Sequence, residues 1–273
     1  MKISFSTLAC PAWTFDRVLG AAVRLGFDGV ELRFIEMDDL LWERPEFSGA
    51  GLRQTVRRFN DAGIEVCCVD TSCFFHHPNK QLRDAALDMG KAMIGLAAEL
   101  GAPAIRVFGD RVQPGADRAA TAQWIVEGVH TLADYGRSSE VETWLETHGD
   151  FARTADTRAI LQAAGLDGTG AIWDPLNSFS EFGEDPAMGF AELGALLRHV
   201  HIKDARRKPE IPWEPVLMRE GDFPAADLVD LLRRNGYQGF VSYEWEKRWH
   251  PQIPEPDVAL PHFMQWMRTA LEK

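Results

Sequence analysis

The sequence predicts an α/β fold, a closed (β/α)8 TIM barrel that forms a single domain over residues 1–273. Its length of 273 residues is typical of one such barrel. One phrase also recurs, in which a helical segment ends at glycine and a short apolar run follows, as in RLGFDGVELR, DAGIEVCCVD and NGYQGFVSYE. Glycine in a left-handed conformation ends helices, so this phrase predicts alternating helices and parallel strands.

The predicted elements alternate strictly along the chain. Strands are expected near residues 3–9, 29–33, 64–70, 104–108, 141–146, 170–174, 199–203 and 240–244. Helices are expected near residues 14–25, 49–62, 80–100, 118–135, 154–164, 186–197, 224–235 and 257–271. The helices rest on amphipathic spacing, and the strands are apolar throughout, as in sheets covered on both faces. No G-x-G-x-x-G follows the first strand, which weighs against an open dinucleotide-binding sheet.

The longest strand–helix connections follow strands two, three, six and seven, at residues 34–48, 71–79, 175–185 and 204–223. In a parallel barrel these connections gather on the C-terminal face, where barrel active sites lie. The stretch from Lys208 to Glu220, rich in proline and charge, is expected to be an ordered rim loop or lid.

Composition excludes several classes of protein. The formal net charge of −12 and the lack of clustered lysine and arginine argue against a nucleic-acid partner. No apolar run is long enough for a membrane span, and the N-terminus predicts a first strand rather than a signal peptide. The four cysteines lack a zinc-binding spacing and predict reduced core residues, which indicates a cytoplasmic protein.

Four polar residues end four consecutive predicted strands. They are Glu146, Asp174, His201 and Glu244, from strands five to eight. Each alone would be an ordinary rim or core residue, but all parallel strands point their C-terminal ends at one mouth. Three carboxylates and one imidazole, without a thiolate, predict one bound divalent ion: Mn²⁺ before Mg²⁺, Co²⁺ or Zn²⁺.

Alternation along a strand adds further candidates for substrate binding. Lys203 lies two residues after His201, and Glu246 lies two residues after Glu244, so each should face the same side as the ligand before it. Lys203 would bind a hydroxyl or carboxylate of the substrate, or form a salt bridge with Asp204 or Glu244. Glu246 would hold a ligand or occupy the rim.

His148, two residues after Glu146, is a substrate-binding candidate whose alternative is surface exposure. Arg106 and Arg33 end strands four and two, where an arginine can bind a carboxylate or phosphate with two hydrogen bonds. Their alternative is an internal ion pair with Glu31, Asp70 or Asp110.

Several tryptophans lie near predicted strand ends, and these pack in the core or form a pocket wall for a ring-shaped substrate. They are Trp13, Trp144, Trp173, Trp245 and Trp249, of which Trp13 is the substrate-binding candidate. His76 and His77, in the connection after strand three, would close the pocket rather than bind a second metal.

The motifs LETHGD, WDPLN, HVHIKD and GFVSYEWE carry the four polar strand ends. Together with GVELR and the segment REGDFPAADLVDLLRRNGYQGF, they resemble the sugar phosphate isomerase/epimerase group of xylose isomerase-like TIM barrels. This group includes the D-tagatose 3-epimerase, hydroxypyruvate isomerase and inosose dehydratase families. The resemblance covers almost the whole chain and implies that Glu146, Asp174, His201 and Glu244 bind the metal. It also implies that Glu146 and Glu244 form the acid/base pair.

One position departs from the pattern of the group. Many members carry histidine three residues after the aspartate of strand six, where this chain has Asn177. Asparagine can hydrogen-bond a substrate but cannot carry a proton as an imidazolium does. Asn177 is therefore a substrate-binding candidate, and its presence argues against the usual epimerase substrates.

The resemblance implies a divalent-metal-dependent isomerase or epimerase of a sugar, keto-sugar or polyol derivative, which acts through an enediolate. A lyase of the inosose dehydratase type is the alternative, and an endonuclease IV-like DNA repair enzyme is a remote one. A non-catalytic binding protein would be expected to lack the ligands. No glycine-rich phosphate loop follows strands seven or eight, so the expected substrate is unphosphorylated. The sequence is compatible with a homo-oligomer.

Overall fold

The computed structural model describes residues 1–208 and 213–272. Eight parallel strands close into a barrel in the order β1–β10–β7–β6–β5–β4–β3–β2. The barrel strands are β1 (Lys2–Ser6), β2 (Gly29–Leu32), β3 (Glu65–Phe74), β4 (Ala104–Phe108), β5 (Glu142–Glu146), β6 (Thr169–Trp173), β7 (Leu197–Ile202) and β10 (Phe240–Tyr243). This arrangement confirms the predicted TIM barrel.

Helices follow the strands and cover the outside of the barrel. They are α1 (Phe15–Leu25), α2 (Gly49–Ala62), α3 (Lys80–Leu100), α4 (Arg118–Gly136), α5 (Thr154–Ala164), α6 (Pro175–Phe182), α7 (Pro186–Leu193), α8 (Ala225–Arg234) and α9 (Pro256–Leu271). Gly26, Gly63 and Gly101 end α1, α2 and α3 with φ of 78°, 65° and 71°, so the helix–glycine–strand interpretation holds at these three helices. At the end of α4 it is wrong, because Gly136 has a right-handed conformation with φ of −71°. No described helix is long and apolar enough to cross a membrane.

Three predicted boundaries are wrong. The first strand ends at Ser6 rather than residue 9, because the Ser6 hydroxyl accepts a hydrogen bond from the Leu8 amide and starts a 3₁₀ turn. The third strand continues past residue 70 to Phe74. The helix predicted over residues 186–197 ends at Leu193, and β7 begins at Leu197 after a short 3₁₀ turn.

The connections after β6 and β7 contain a helix and a strand pair that the sequence did not predict. The connection after β6 contains α6, with Asp174 as its N-cap and Pro175 in its first turn. The connection after β7 contains an antiparallel pair, β8 (Asp204–Arg206) and β9 (Glu214–Val216). Of the rim loop expected from Lys208 to Glu220, residues 209–212 lie outside the described residues. The Asp204 carboxylate accepts hydrogen bonds from the amides of Arg219 and Gly221, which orders the end of this loop.

The barrel lumen is polar, in contrast to the apolar layer between strands and helices. Outside the strands, Tyr243 of β10 stacks on Phe263 of α9 with ring centroids 4.4 Å apart. Inside, Glu31 of β2 contacts His199 of β7, and these strands are not neighbours, so the contact crosses the lumen. All four cysteines are buried and unpaired, as expected.

Candidate metal centre

The four predicted ligands meet at one point at the C-terminal mouth. Glu146 ends β5, Asp174 follows β6, His201 lies in β7 and Glu244 follows β10. One donor atom of each lies within 4.8 Å of the other three, and all four residues are buried. His201 Nδ1 is 3.4 Å from Glu146 Oε1 and 3.4 Å from Glu244 Oε1. The strands β5, β6, β7 and β10 are consecutive in the barrel, which explains the convergence.

The donor atoms that face one another suit a cation. Glu146 Oε1, Asp174 Oδ2 and His201 Nδ1 are buried and have no hydrogen-bond partner among the described residues. Asp174 Oδ2 is 2.7 Å from Lys203 Nζ, although the angles do not make a hydrogen bond. Buried acceptors without partners are destabilising, and a divalent ion would satisfy all three. The three carboxylates and one imidazole therefore fit the predicted ion.

Glu31 orients the histidine of this set. The Glu31 carboxylate accepts hydrogen bonds from Nε2 of both His199 and His201, the latter at 3.1 Å. Because Nε2 of His201 donates here, Nδ1 is the nitrogen that faces Glu146 and Glu244 and that would bind a metal ion. Sequence reasoning placed Glu31 only as a partner for arginine. Its position two residues before Arg33 carried no signal of a bond across the lumen.

Arg106 forms an internal ion pair, which was one of its two predicted roles. Its Nη1 donates to Glu146 Oε2, and its Nε lies 3.7 Å from Asp70 Oδ1. Burial by itself would raise the pKa of Glu146, but Arg106 and then His201 bring it well below its usual value. Glu146 is therefore held as a carboxylate.

Lys203 lies among three carboxylates. Its Nζ is 2.6 Å from Glu244 Oε2 and also contacts Asp174 and Glu246. The salt bridge with Glu244 was one predicted alternative, whereas Asp204 binds backbone amides instead. Burial, with help from nearby carboxylates, raises the pKa of Glu244 to about 7, although Lys203 acts in the opposite direction. Glu246 also contacts His250, which places it at the rim.

A cavity of about 190 Å³ opens beside the four ligands. It is lined by Leu8, Arg33, Arg106, Phe108, His148, Lys203, Glu244, Glu246 and Trp249. Four substrate-binding candidates, namely Arg106, His148, Lys203 and Glu246, thus face one space. His148 Nδ1 lies 3.3 Å from Asp110 Oδ1. Burial would lower the pKa of His148, but Asp110 raises it above its usual value.

Other sequence candidates lie elsewhere. Asn177 lines a second cavity of about 130 Å³, which shares Lys203, Glu244 and Glu246 with the first, and its amide donates to the Thr147 carbonyl. Trp13 lines a separate surface cavity next to Cys10 and Pro256, so Trp249 supplies the aromatic wall instead.

Arg33 and the two histidines after β3 have other neighbours than the sequence predicted. Arg33 pairs with Asp39, 3.4 Å away, rather than with Glu31, Asp70 or Asp110. His76 contacts the Gly109 carbonyl and stacks on Phe74, and His77 accepts a bond from the Asn79 amide. Neither histidine is among the described residues that line the cavity beside the ligands.

Comparison with solved structures finds the same architecture. The chain resembles a 3-keto-D-glucoside 4-epimerase from E. coli, with a TM-score of 0.77, 19% identity, and coverage of 98% of this chain and 99% of the other. It resembles the probable 3-DHS dehydratase AsbF of Bacillus anthracis, with a TM-score of 0.78, 18% identity, and coverage of 97% and 98%. The IOLI protein with a bound zinc atom gives a TM-score of 0.79, 17% identity, and coverage of 99% and 96%.

These identities are low and show a shared fold alone. A comparison with curated proteins finds no match. The family model described as xylose isomerase-like TIM barrel matches residues 19–270, which is nearly the whole chain. On that match, the chain belongs to the xylose isomerase-like TIM barrel family.

Proposed function

We propose that this protein is a divalent-metal-dependent isomerase or epimerase of an unphosphorylated sugar, keto-sugar or polyol derivative. One observation carries the proposal: the convergence of Glu146, Asp174, His201 and Glu244, whose facing donor atoms lie within 4.8 Å of one another. Mn²⁺ is our first choice of ion, with Mg²⁺, Co²⁺ or Zn²⁺ as alternatives. A zinc atom bound to a structural relative supports a metal in this fold.

The reaction needs a proton to leave and return to carbon. A divalent ion held by the four side chains would stabilise negative charge as it develops on substrate oxygens. Glu146 and Glu244 come from β5 and β10, with β6 and β7 between them in the barrel, so they approach the centre from different directions. One carboxylate takes the proton next to the carbonyl and leaves an enediolate. Return by the other to the opposite face gives an epimer, and return to the neighbouring carbon gives an isomer.

The surrounding cations keep the two glutamates in place. Arg106 donates to Glu146, and Lys203 donates to Glu244, so each carboxylate keeps one oxygen bound and directs the other at His201 Nδ1. His148, Lys203 and Glu246 supply polar groups around the cavity for substrate hydroxyls. These positions support a small, hydroxylated substrate rather than a macromolecule.

A lyase is the second candidate, because one structural relative is named as a probable dehydratase. It would share the first step, loss of the proton next to the carbonyl, after which a β-hydroxyl leaves as water. Product analysis separates the two functions. Isomerisation conserves the mass of the substrate, whereas elimination removes water.

Solvent exchange tests the proposal directly. The Mn²⁺-loaded protein is incubated with ketoses, aldoses and inososes in D₂O, and products are analysed by mass spectrometry and NMR. We expect deuterium at carbon in at least one product from the wild type, and none from Glu244→Gln. Glu65→Gln, at an exposed pair with Lys2, is the matched control and should behave as wild type. Absence of divalent metal binding by the wild type would overturn the proposal.

A further inference from the structure

Two arginines and one lysine line the cavity beside the four ligands, and they differ in the number of carboxylates that they contact. Lys203 contacts three carboxylates, and Arg106 contacts Glu146 and Asp70. Arg33 has one carboxylate, that of Asp39, at 3.4 Å. Among the described residues, Arg33 is therefore the lysine or arginine of this wall with the fewest close carboxylate contacts.

The neighbours of Arg33 fix the position of its guanidinium, but only one of them is a carboxylate within 4.0 Å. Its Nη2 donates to Ser72 Oγ at 2.6 Å, and its guanidinium lies 4.3 Å from the Phe34 ring centroid. Ser72 Oγ also donates to Asp39 Oδ2 at 2.7 Å, so the Asp39 carboxylate is shared. Burial and then the like charge of Arg106 lower the pKa of Arg33 to about 10, and the negative charges of Asp70 and Asp39 offset this shift only in part.

We propose that Arg33 binds a carboxylate of the substrate, which makes the substrate a sugar acid. The inference rests on the proposed function and narrows its substrate class to a uronate or keto-aldonate. The carbonyl and its neighbouring hydroxyl lie at the four ligands, and the carboxylate lies at Arg33, on the same cavity. Arg33 is only 4% exposed, and a buried guanidinium forms strong charge-assisted hydrogen bonds with a carboxylate.

The other acidic groups of the wall do not oppose this arrangement. Glu244 and Glu246 share the ammonium group of Lys203, and Glu146 contacts Arg106, so each of these carboxylates lies against a cation other than Arg33. A phosphate carries more charge and more acceptor oxygens than a carboxylate. Because Arg106 and Lys203 already contact carboxylates of the protein, Arg33 alone would bind the substrate anion, which suits the smaller carboxylate.

The test measures binding to Mn²⁺-loaded protein by calorimetry, with D-glucuronate and D-glucose as a matched pair of probes. D-Glucuronate has a carboxylate at the carbon farthest from the carbonyl, where D-glucose has a hydroxymethyl group. We expect the wild type to bind D-glucuronate about tenfold or more tightly than D-glucose. In Arg33→Gln this preference should fall to within about threefold, because D-glucuronate loses more affinity than D-glucose does.

Controls make each outcome decisive. Arg158→Gln, at an exposed pair with Glu192, should keep the wild-type preference. Arg33→Lys keeps the charge without the planar fork of the guanidinium and should lose part of the preference. This variant replaces Arg33→Gln in the test if circular dichroism shows that Arg33→Gln does not fold. Equal binding of both probes by the wild type, or an unchanged preference in the Arg33 variants, would overturn the inference. So would a D-glucose 6-phosphate affinity that exceeds that of D-glucuronate and depends on Arg33.

Failure of this inference is distinct from failure of the proposed function. A protein that does not bind Mn²⁺ and exchanges no substrate proton with D₂O contradicts the proposed function. A protein that binds Mn²⁺ and exchanges protons of neutral sugars, but shows no preference for the uronate, contradicts the role of Arg33 alone.

Discussion

Glu31 accepts a hydrogen bond from His201 Nε2 at 3.1 Å across the barrel lumen. The two residues come from β2 and β7, which are not neighbours in the sheet. The same carboxylate also accepts from His199 Nε2, so one buried anion holds two imidazoles. The bond orients the His201 ring and directs its Nδ1 at Glu146 and Glu244.

Loss of this bond should weaken metal binding. We expect Glu31→Ala to lower the affinity for Mn²⁺ by about 10- to 100-fold, since the His201 ring loses its orientation and fixed tautomer. Competition with a fluorescent chelator measures the affinity, and ¹⁵N NMR of the imidazoles in protein loaded with diamagnetic Zn²⁺ reports the tautomer of His201. Glu31→Gln, which keeps an acceptor oxygen, should lose less. An affinity equal to that of wild type in Glu31→Ala would contradict the role of Glu31.

Metal should also stabilise the fold, because the four ligands come together only in the native barrel. At a free Mn²⁺ concentration of 100 times Kd, binding adds about 2.7 kcal/mol to the free energy of unfolding. For a chain of this size we expect Tm to rise by roughly 5–10 °C. Asp174→Asn should lose most of this shift, whereas Asp167→Asn, at an exposed pair with Arg137, should keep it. Differential scanning fluorimetry measures Tm in Mn²⁺ and in EDTA. An identical Tm of the wild type under both conditions would contradict the prediction that the metal stabilises the fold.

Two helical glycines should respond to alanine in opposite ways. A Cβ on Gly51 of α2 would lie 1.9 Å from the Pro45 carbonyl oxygen, whereas one on Gly95 of α3 would have no heavy atom within 4 Å. Gly51→Ala therefore forces backbone to move and should destabilise by about 1–3 kcal/mol. Gly95→Ala should stabilise by up to about 1 kcal/mol through helix propensity. Urea unfolding measures the free energy of unfolding of both variants. An equal change in the two variants would show that the backbone at Pro45 can move away from Gly51 without cost.

The convergence of the four ligands could be predicted because it follows from topology alone. Parallel strands in a barrel end at one mouth, so Glu146, Asp174, His201 and Glu244 are brought together by their positions in the sequence. Alternation in β7 likewise placed Lys203 beside the same site.

The rest depends on contacts that local patterns do not contain. The bond between Glu31 and His201 joins residues 170 positions apart across the lumen. Arg33 pairs with Asp39 in the connection after β2, where no periodic pattern indicates which acidic residue lies nearby. Helix α6 has eight residues, too few for amphipathic spacing to stand out, although Asp174 followed by Pro175 is a helix-start signal.

Lys203 offers the sharpest test of how charge is balanced at the site. Its ammonium group lies within hydrogen-bonding distance of Asp174, Glu244 and Glu246, and all four side chains are at least three-quarters buried. Removal of one partner from a buried ionic cluster typically destabilises a protein by about 3–5 kcal/mol. We expect a loss of this size for Lys203→Met in EDTA, measured as the free energy of unfolding in urea.

A divalent ion at Asp174 and Glu244 would replace part of the missing positive charge. Mn²⁺ should therefore stabilise Lys203→Met by more than it stabilises the wild type, and adding Glu246→Gln should recover part of the loss in EDTA. Lys80→Met, at an exposed pair with Asp84, is the control and should change stability by less than about 0.5 kcal/mol. If Mn²⁺ stabilises Lys203→Met and wild type equally, the lysine and the metal do not share the same carboxylates, and the assigned ligand set must change.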